Sequence, residues 1–141
     1  MTQPEGQTAA EVLVSTAHLE SGGAPYAQRI KVGHHVVTSD EPTANGGGDA
    51  GPSPVGLMLA ALASCTSITL RMYADRKTWD LGTVRVDLRL LRTGGAEHVE
   101  RVLRFGAALT PEQVARLVEI ADKTPITKML RAGVPIATRV Q

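Results

Sequence analysis

The alternation of polar and apolar positions divides the 141-residue chain into a strand-rich first third and a mixed remainder. Three short β-prone runs, at residues 11–18, 26–32 and 35–39, are separated by Ser-Gly-Gly and Gly-His and predict an antiparallel meander. Residues 44–51 are rich in glycine and predict a mobile loop. We therefore expect the N-terminal third to be mostly sheet.

The longest apolar stretch of the chain is VGLMLAALASC, which begins at Val55. Ser53 is a favoured N-cap residue and Pro54 suits the first helical turn, so the sequence predicts a helix over residues 54–77. Apolar residues surround its first three turns, which is typical of a helix buried in the centre of a core. The stretch is shorter than the ~20 apolar residues that a membrane span needs, so we expect no membrane partner.

Two alternating runs after this helix predict a β-hairpin. Residues 83–91 place valine and leucine on one face and charged side chains on the other. Residues 98–109 form the second run, and a Thr-Gly-Gly turn separates the two. We expect both strands to be half-buried, with their apolar faces toward the core.

Capping residues predict two further helices near the C-terminus. Thr110 and Gln113 fit a capping box, and Thr124 followed by Pro125 predicts a second, shorter helix. Residues 136–140 predict a closing strand. The resulting order, β-β-β-α-β-β-α-α-β, indicates an α+β fold with antiparallel sheets around a central buried helix.

Composition and charge narrow the class of protein further. A length of 141 residues with 43% hydrophobic residues suits one soluble domain over residues 1–141, of which we expect residues 1–9 to be disordered. A net charge of +1 and four aromatic residues provide neither a basic stripe nor a stacking platform, so we expect no nucleic-acid partner. The first residues lack the features of a signal peptide, which predicts a cytoplasmic protein.

We expect no metal and no cofactor. His34 and His35 are consecutive and would project to opposite faces of a strand, which disfavours a shared metal site. The glycine run lacks the Lys-Ser/Thr ending of a phosphate-binding Walker loop.

The single cysteine, Cys65, is the main candidate for chemistry. One cysteine excludes an internal disulfide and a cysteine-rich zinc site. Cys65 lies about 11 residues, or roughly 16 Å, from the start of the helix, too far for the helix N-terminus to activate it. Its neighbours on the helix are mainly apolar, including Leu62 and Ile68. Considered without family context, Cys65 fits a buried and unreactive small hydrophobic residue.

The sequence around Cys65 nevertheless resembles a known family. The segment GPSPVGLMLAALASCTSITLRMYADRKTW is similar to the central helix of the OsmC/Ohr superfamily of osmotically inducible and organic hydroperoxide resistance proteins. The resemblance continues through IADKTPITKML and the closing VPIATRV, and covers most of the chain from Tyr26 onward.

The resemblance implies an OsmC-like fold that works as an intertwined homodimer. It also implies that Cys65, at the family's cysteine position, is a peroxidatic thiol at the subunit interface, with a small-molecule hydroperoxide as its oxidant. In the family a second cysteine captures the sulfenic acid as a disulfide, which an external dithiol reduces.

Three positions depart from the family pattern. Thr124 stands where the family has its second cysteine, and a hydroxyl cannot resolve a sulfenic acid. Val55 and Gly56 occupy the two positions where family branches carry a carboxylate that orients an activating arginine. The chain therefore resembles an OsmC-like branch that lacks the second cysteine and depends on an external thiol reductant.

A thiolate in an apolar pocket needs a cation nearby, and Arg29 is our candidate. Arg29 lies on the second strand of the meander, where alternation would direct it away from the side of Gln28 and Ile30 and across the dimer toward Cys65. The alternative is a solvated strand arginine.

Two functions are consistent with these residues. The first is a one-cysteine, thiol-dependent hydroperoxide reductase with peroxiredoxin-like activity in oxidative-stress defence, using Cys65. The alternative is a catalytically inactive dimer of the same fold that binds a small ligand or has a structural role.

Overall fold

A computed structural model describes residues 9–141, and its contacts divide the chain into two units, residues 1–54 and 55–141. The single domain expected over residues 1–141 stays a prediction. The disorder expected for residues 1–9 falls almost entirely outside the described residues.

The first unit contains the predicted antiparallel meander. Its strands are β1 (Ala17–Leu19), β2 (Gln28–Val32) and β3 (His35–Ser39), in the order β1-β2-β3. Gly33 adopts φ 60° in the tight turn that places Val32 opposite His35, a conformation that glycine adopts without strain. Strand β1 is shorter than expected, because residues 11–16 have no paired strand among the described residues.

Hydrogen bonds to Asp40 connect the glycine-rich segment to the end of β3, and the mobility expected for this loop stays a prediction. The Asp40 side chain, only 3% exposed, accepts from the backbone N–H groups of Glu41, Gly48 and Ala50 at 2.7, 3.2 and 3.0 Å. The Ala50 hydrogen bond is the main cause that lowers the pKa of Asp40 below its ordinary value of 3.8. Gly47 passes so close to Glu41 that a Cβ atom would lie 1.9 Å from its carbonyl oxygen.

The second unit matches the predicted helices and hairpin closely. Helix α1 (Pro54–Lys77) has the predicted bounds, and strands β4 (Val84–Thr93) and β5 (Ala96–Phe105) pair antiparallel around the Gly94-Gly95 turn. Helix α2 (Pro111–Ala121) begins with the complete Thr110–Gln113 capping box. Helix α3 (Pro125–Ala132) has Thr124 as its N-cap, as predicted.

The core of the second unit lies between one side of α1, the hairpin and α2. Its buried apolar residues are Leu70, Ala74, Leu81, Leu117 and Ala121. Tyr73, Trp79, Leu103 and Phe105 are among the partly buried side chains that pack against them.

Helix α1 is not buried on all sides, as its composition had suggested. Only Leu62, Thr66, Leu70 and Ala74, spaced four residues apart, are buried. The expectation fails because the described elements of the second unit cover one side of the helix only. Contrary to expectation, α1 is long and apolar enough to cross a bilayer, a criterion of length and composition that the core helices of soluble proteins also meet.

The predicted closing strand at residues 136–140 is wrong for the single chain. Residues 133–141 follow α3 without strand pairing, and Ile136 and Val140 are 88% and 97% exposed. A strand needs a partner for its backbone hydrogen bonds, and the described residues offer none to this segment.

Candidate functional site

Cys65 lies on α1 at the border between the buried side of the helix and an open apolar face. It is half-buried, whereas the next residue, Thr66, is completely buried. Successive residues of a helix are 100° apart, so the Cys65 side chain shares its side of the helix with Ala61, Ile68 and Met72. Ile68 and Met72 are 52% and 60% exposed. We call Ala61, Cys65, Ile68 and Met72 the open face of α1.

Thr66 fixes the turn of α1 that contains Cys65. Its hydroxyl donates to the carbonyl oxygen of Leu62, one turn earlier, at 2.7 Å. The same hydroxyl oxygen accepts from Nη1 of Arg101 on β5 at 3.0 Å. Back-bonding of a threonine to the preceding turn often bends a helix. The turn from Leu62 to Thr66, which includes Cys65, is therefore closed by the Thr66 hydroxyl and bonded to β5 through Arg101.

Arg101 connects all three helices of the second unit. Besides Thr66 on α1, its Nη1 group donates to Thr127 Oγ1 on α3 at 3.0 Å. Its Nη2 group donates to the Ala121 carbonyl at 2.8 Å and to Asp122 Oδ1 at 3.3 Å, both at the C-terminal end of α2. A cation suits this helix end, where carbonyl groups are unpaired and the helix dipole is negative. The Arg101 side chain is only 13% exposed.

The residue in place of the family's second cysteine belongs to the same network. Thr124 is completely buried, and its hydroxyl lies 2.6 Å from that of Thr127. It also accepts from the backbone N–H of Thr127 as the N-cap of α3. Thr127 in turn donates to the Ala121 carbonyl and accepts from Arg101. The hydroxyl of Thr124 is therefore engaged in a structural role.

A cavity of about 940 Å³ lies beside this network in the second unit. Its walls are mainly apolar side chains of β5 and α2, and they include Arg101, Asp122 and Arg131. Arg131 donates to the same Asp122 carboxylate as Arg101, at 3.1 Å. Cys65 does not line this cavity, within the part of the chain that the structure describes.

Arg29 lies on β2 in the first unit, and its side chain is exposed. It lines a groove of about 680 Å³ together with His18, Glu20 and Lys31. Among residues 9–141, the Arg29 side chain makes no hydrogen bond or ion pair. Its role as the activator of Cys65 stays a prediction.

The other positions singled out in the sequence are Val55 on α1 and the consecutive histidines of the meander. Val55 begins the second unit on the first turn of α1 and is half-exposed. His34 and His35 stack with ring centroids 4.0 Å apart in the β2–β3 turn. Within residues 9–141, no group of three or more His, Cys, Asp or Glu side chains is arranged to hold a metal ion.

Arg101 is the site residue that sequence reasoning missed. Its signal was present, because Val99, Leu103 and Phe105 alternate on the inward face of β5 and Arg101 occupies a position of the same parity. An arginine in an inward series of apolar residues indicates a buried cation that must find several acceptors.

Comparisons with known proteins agree with this architecture. Residues 46–139 match the family model described as OsmC-like protein. A search of curated proteins finds no match.

Several solved structures share the fold. A protein from Psychrobacter arcticus 273-4, whose name refers to osmotic stress and detoxification, aligns with a TM-score of 0.72 and 17% identity over 85% of this chain and 90% of its own. The organic hydroperoxide resistance protein OsmC from Legionella pneumophila has a TM-score of 0.63 and 18% identity over 89% and 94%. The organic hydroperoxide resistance protein OhrB of Bacillus subtilis aligns with a TM-score of 0.58 and 20% identity over 86% of this chain and 93% of its own. At these identities the likeness shows the fold alone.

Proposed function

The chain belongs to the OsmC-like protein family, and from that premise we propose that it is a one-cysteine, thiol-dependent hydroperoxide reductase that uses Cys65. The observation that carries the proposal is the position of Cys65. The only thiol of the chain lies on the open face of α1, half-buried and beside exposed apolar side chains. Ile68 and Met72 there favour an organic hydroperoxide over hydrogen peroxide, because an apolar substituent gains by leaving water.

The first step oxidises the cysteine. The Cys65 thiolate attacks the outer oxygen of a hydroperoxide ROOH, the O–O bond breaks, and the alkoxide leaves and takes a proton as ROH. The sulfur is oxidised by two electrons to a sulfenic acid, and the peroxide is reduced to an alcohol.

An external thiol completes the cycle. The chain has no second cysteine, and the Thr124 hydroxyl is buried and hydrogen-bonded to the Thr127 hydroxyl. A thiol R′SH attacks the sulfenic sulfur, which forms a mixed disulfide and releases water. A second R′SH then attacks the mixed disulfide, so that Cys65 returns as a thiol and R′SSR′ leaves. Each hydroperoxide consumes two external thiols.

We further propose that the protein acts as a homodimer that covers the open face of α1. The exposed Ile68 and Met72 side chains support this, because soluble chains rarely leave such a contiguous apolar surface uncovered. Residues 136–140 also support it, since their strand-like sequence has no pairing partner among the residues that the structure describes. Within such a dimer, in the cytoplasm, Arg29 is the proposed activator of Cys65, and the lack of an ion-pair partner for its exposed side chain within residues 9–141 is consistent with that role.

Trapping of the sulfenic acid tests the proposed function. The protein is mixed with one equivalent of cumene hydroperoxide and a sulfenic-acid trap, and its intact mass is measured. We expect one trap adduct within seconds, absent from Cys65→Ser. Thr124→Ser, which keeps the buried hydroxyl, is the matched control and should react like the wild type. No adduct after minutes contradicts the proposal and favours the alternative, a ligand-binding or structural dimer.

A further inference from the structure

One of the four hydrogen bonds of Arg101 reaches Thr66, next to Cys65 on α1, and the other three hold the guanidinium at the ends of α2 and α3. We propose that Arg101 is a positioning residue for Cys65, acting through Thr66 and without touching the thiol. The inference rests on the proposed function for its redox consequence, but its geometry is independent of that function.

The first step of the argument is the geometry of α1 around the thiol. Thr66 donates to the Leu62 carbonyl and accepts from Arg101, so its hydroxyl has a defined direction. Cys65 lies within the turn of α1 that Leu62 and Thr66 close. Any rotation of that turn about the helix axis breaks the hydrogen bond to Arg101 or the one to Leu62. The direction of the Cys65 side chain is therefore coupled to Arg101.

The second step is the rigidity of Arg101 itself. The two nitrogens of its guanidinium end contact Thr66 and Thr127 on one side and Ala121 and Asp122 on the other. A planar guanidinium holds these directions at once, whereas a lysine ammonium is a single point with rotating donors. Lysine at position 101 would therefore keep the charge but lose the bridge between α1 and the α2–α3 corner.

The third step connects Thr124 to this bridge. Thr124 and Thr127 share a hydrogen bond, and Thr127 accepts from Arg101. The position that supplies a second sulfur elsewhere in the family here supports the arginine that fixes α1. In this chain the two threonines and Arg101 form a preorganised frame for a single reactive sulfur.

Substitutions at Thr66 separate the hydrogen bond from the packing. Thr66→Val keeps the shape and removes the acceptor, whereas Thr66→Ser keeps the hydroxyl. Two rates are measured at a temperature where each variant is folded: oxidation of Cys65 by cumene hydroperoxide and alkylation of Cys65 by iodoacetamide. We expect Thr66→Val to lower the oxidation rate roughly tenfold or more relative to the alkylation rate, since a misplaced reactive group loses that order of rate. Thr66→Ser should stay close to the wild type.

Arg101→Met should give the same loss as Thr66→Val, and Arg101→Lys should not rescue it. The double variant Arg101→Met/Thr66→Val should lose little more than either single variant, because both remove one interaction. Arg104→Met, on the same strand but in an exposed ion pair with Asp87, is the matched control. If Arg101→Met does not fold, the Thr66 pair alone decides the matter.

Two results overturn the inference. One is a Thr66→Val protein that melts at a lower temperature but keeps the wild-type ratio of oxidation to alkylation, because Arg101 is then only structural. The other is an equal alkylation rate for Thr66→Val and Thr66→Ser in a protein that no hydroperoxide oxidises, since the missing oxidation by itself is the failure of the proposed function only. In that case the alkylation rate still decides: a severalfold difference between Thr66→Val and Thr66→Ser supports positioning, and equal rates exclude it.

Discussion

Two adjacent residues of α1, Thr66 and Cys65, lie in regions that differ in burial and hydrogen bonding. The Thr66 hydroxyl both donates and accepts a hydrogen bond, and Leu70, one turn later on the same side of α1, is fully buried. The region of Cys65 is open, since its apolar neighbours Ile68 and Met72 face solvent. The buried side stabilises the unit, and the open side is where a second molecule, whether subunit or substrate, has most to gain by binding.

The largest expected effect is on the buried side. Leu70→Ala removes a fully buried side chain from the core and should lower the free energy of unfolding by about 3–5 kcal/mol. Chemical denaturation at several protein concentrations measures this. Met72→Ala, on the open face, is the control. A similar loss for both variants at every concentration would contradict the distinction between the two sides.

A somewhat smaller loss is expected when Arg101 is removed. Arg101→Met deletes four charge-assisted hydrogen bonds of a side chain that is 13% exposed, which should cost about 2–4 kcal/mol. Arg104→Met should change the unfolding free energy by less than about 0.5 kcal/mol, because its ion pair with Asp87 is exposed. Equal losses of unfolding free energy for Arg101→Met and Arg104→Met would show that the burial of Arg101 adds nothing to stability.

A charge on the open face should change association more than folding. Ile68→Asp places a carboxylate among exposed apolar side chains, where it remains hydrated in one chain but must be desolvated in a dimer. Sedimentation should give twice the 14.9 kDa chain mass for the wild type and a mass near that of one chain for the variant. A wild type that sediments as a single chain at micromolar concentration would refute the homodimer.

The smallest effect concerns the loop around Asp40 and depends on pH. Backbone hydrogen bonds lower the pKa of Asp40 in the folded state, so its ionised form contributes stability at pH values above the ordinary 3.8. That contribution is lost as the pH falls below 3.8 through the lower folded-state pKa. Asp40→Asn should therefore lower the melting temperature at pH 7, and the difference from the wild type should shrink on acidification. A constant difference would contradict this assignment.

The sequence predicts well those features that are decided within a few residues. The bounds of α1 follow from Ser53, Pro54 and the cations of its last turn, and the capping box of α2 and the Thr124 cap follow from side chains that bond their own helix. The β4–β5 hairpin follows from alternation and the Gly94-Gly95 turn.

The features that failed depend on distant partners. Residues 136–140 have a strand-like sequence, but pairing requires a second strand that the described part of the chain, residues 9–141, does not supply. Asp40 lies up to ten residues away from the N–H groups that it binds in the glycine-rich loop, so the composition of the loop alone does not reveal these hydrogen bonds. Arg101 was missed because the acceptors from three helices that make its burial favourable cannot be read from a strand pattern.

Steady-state turnover tests the central claim, that Cys65 is a peroxidatic thiol without a resolving partner in its own chain. Consumption of cumene hydroperoxide is measured together with oxidation of dithiothreitol for the wild type, Cys65→Ser and Thr124→Ser. We predict one dithiothreitol oxidised for each hydroperoxide reduced by the wild type and by Thr124→Ser, and only the background rate for Cys65→Ser. A wild-type rate equal to that of Cys65→Ser would contradict the account and leave the family's fold in this chain without its peroxide chemistry.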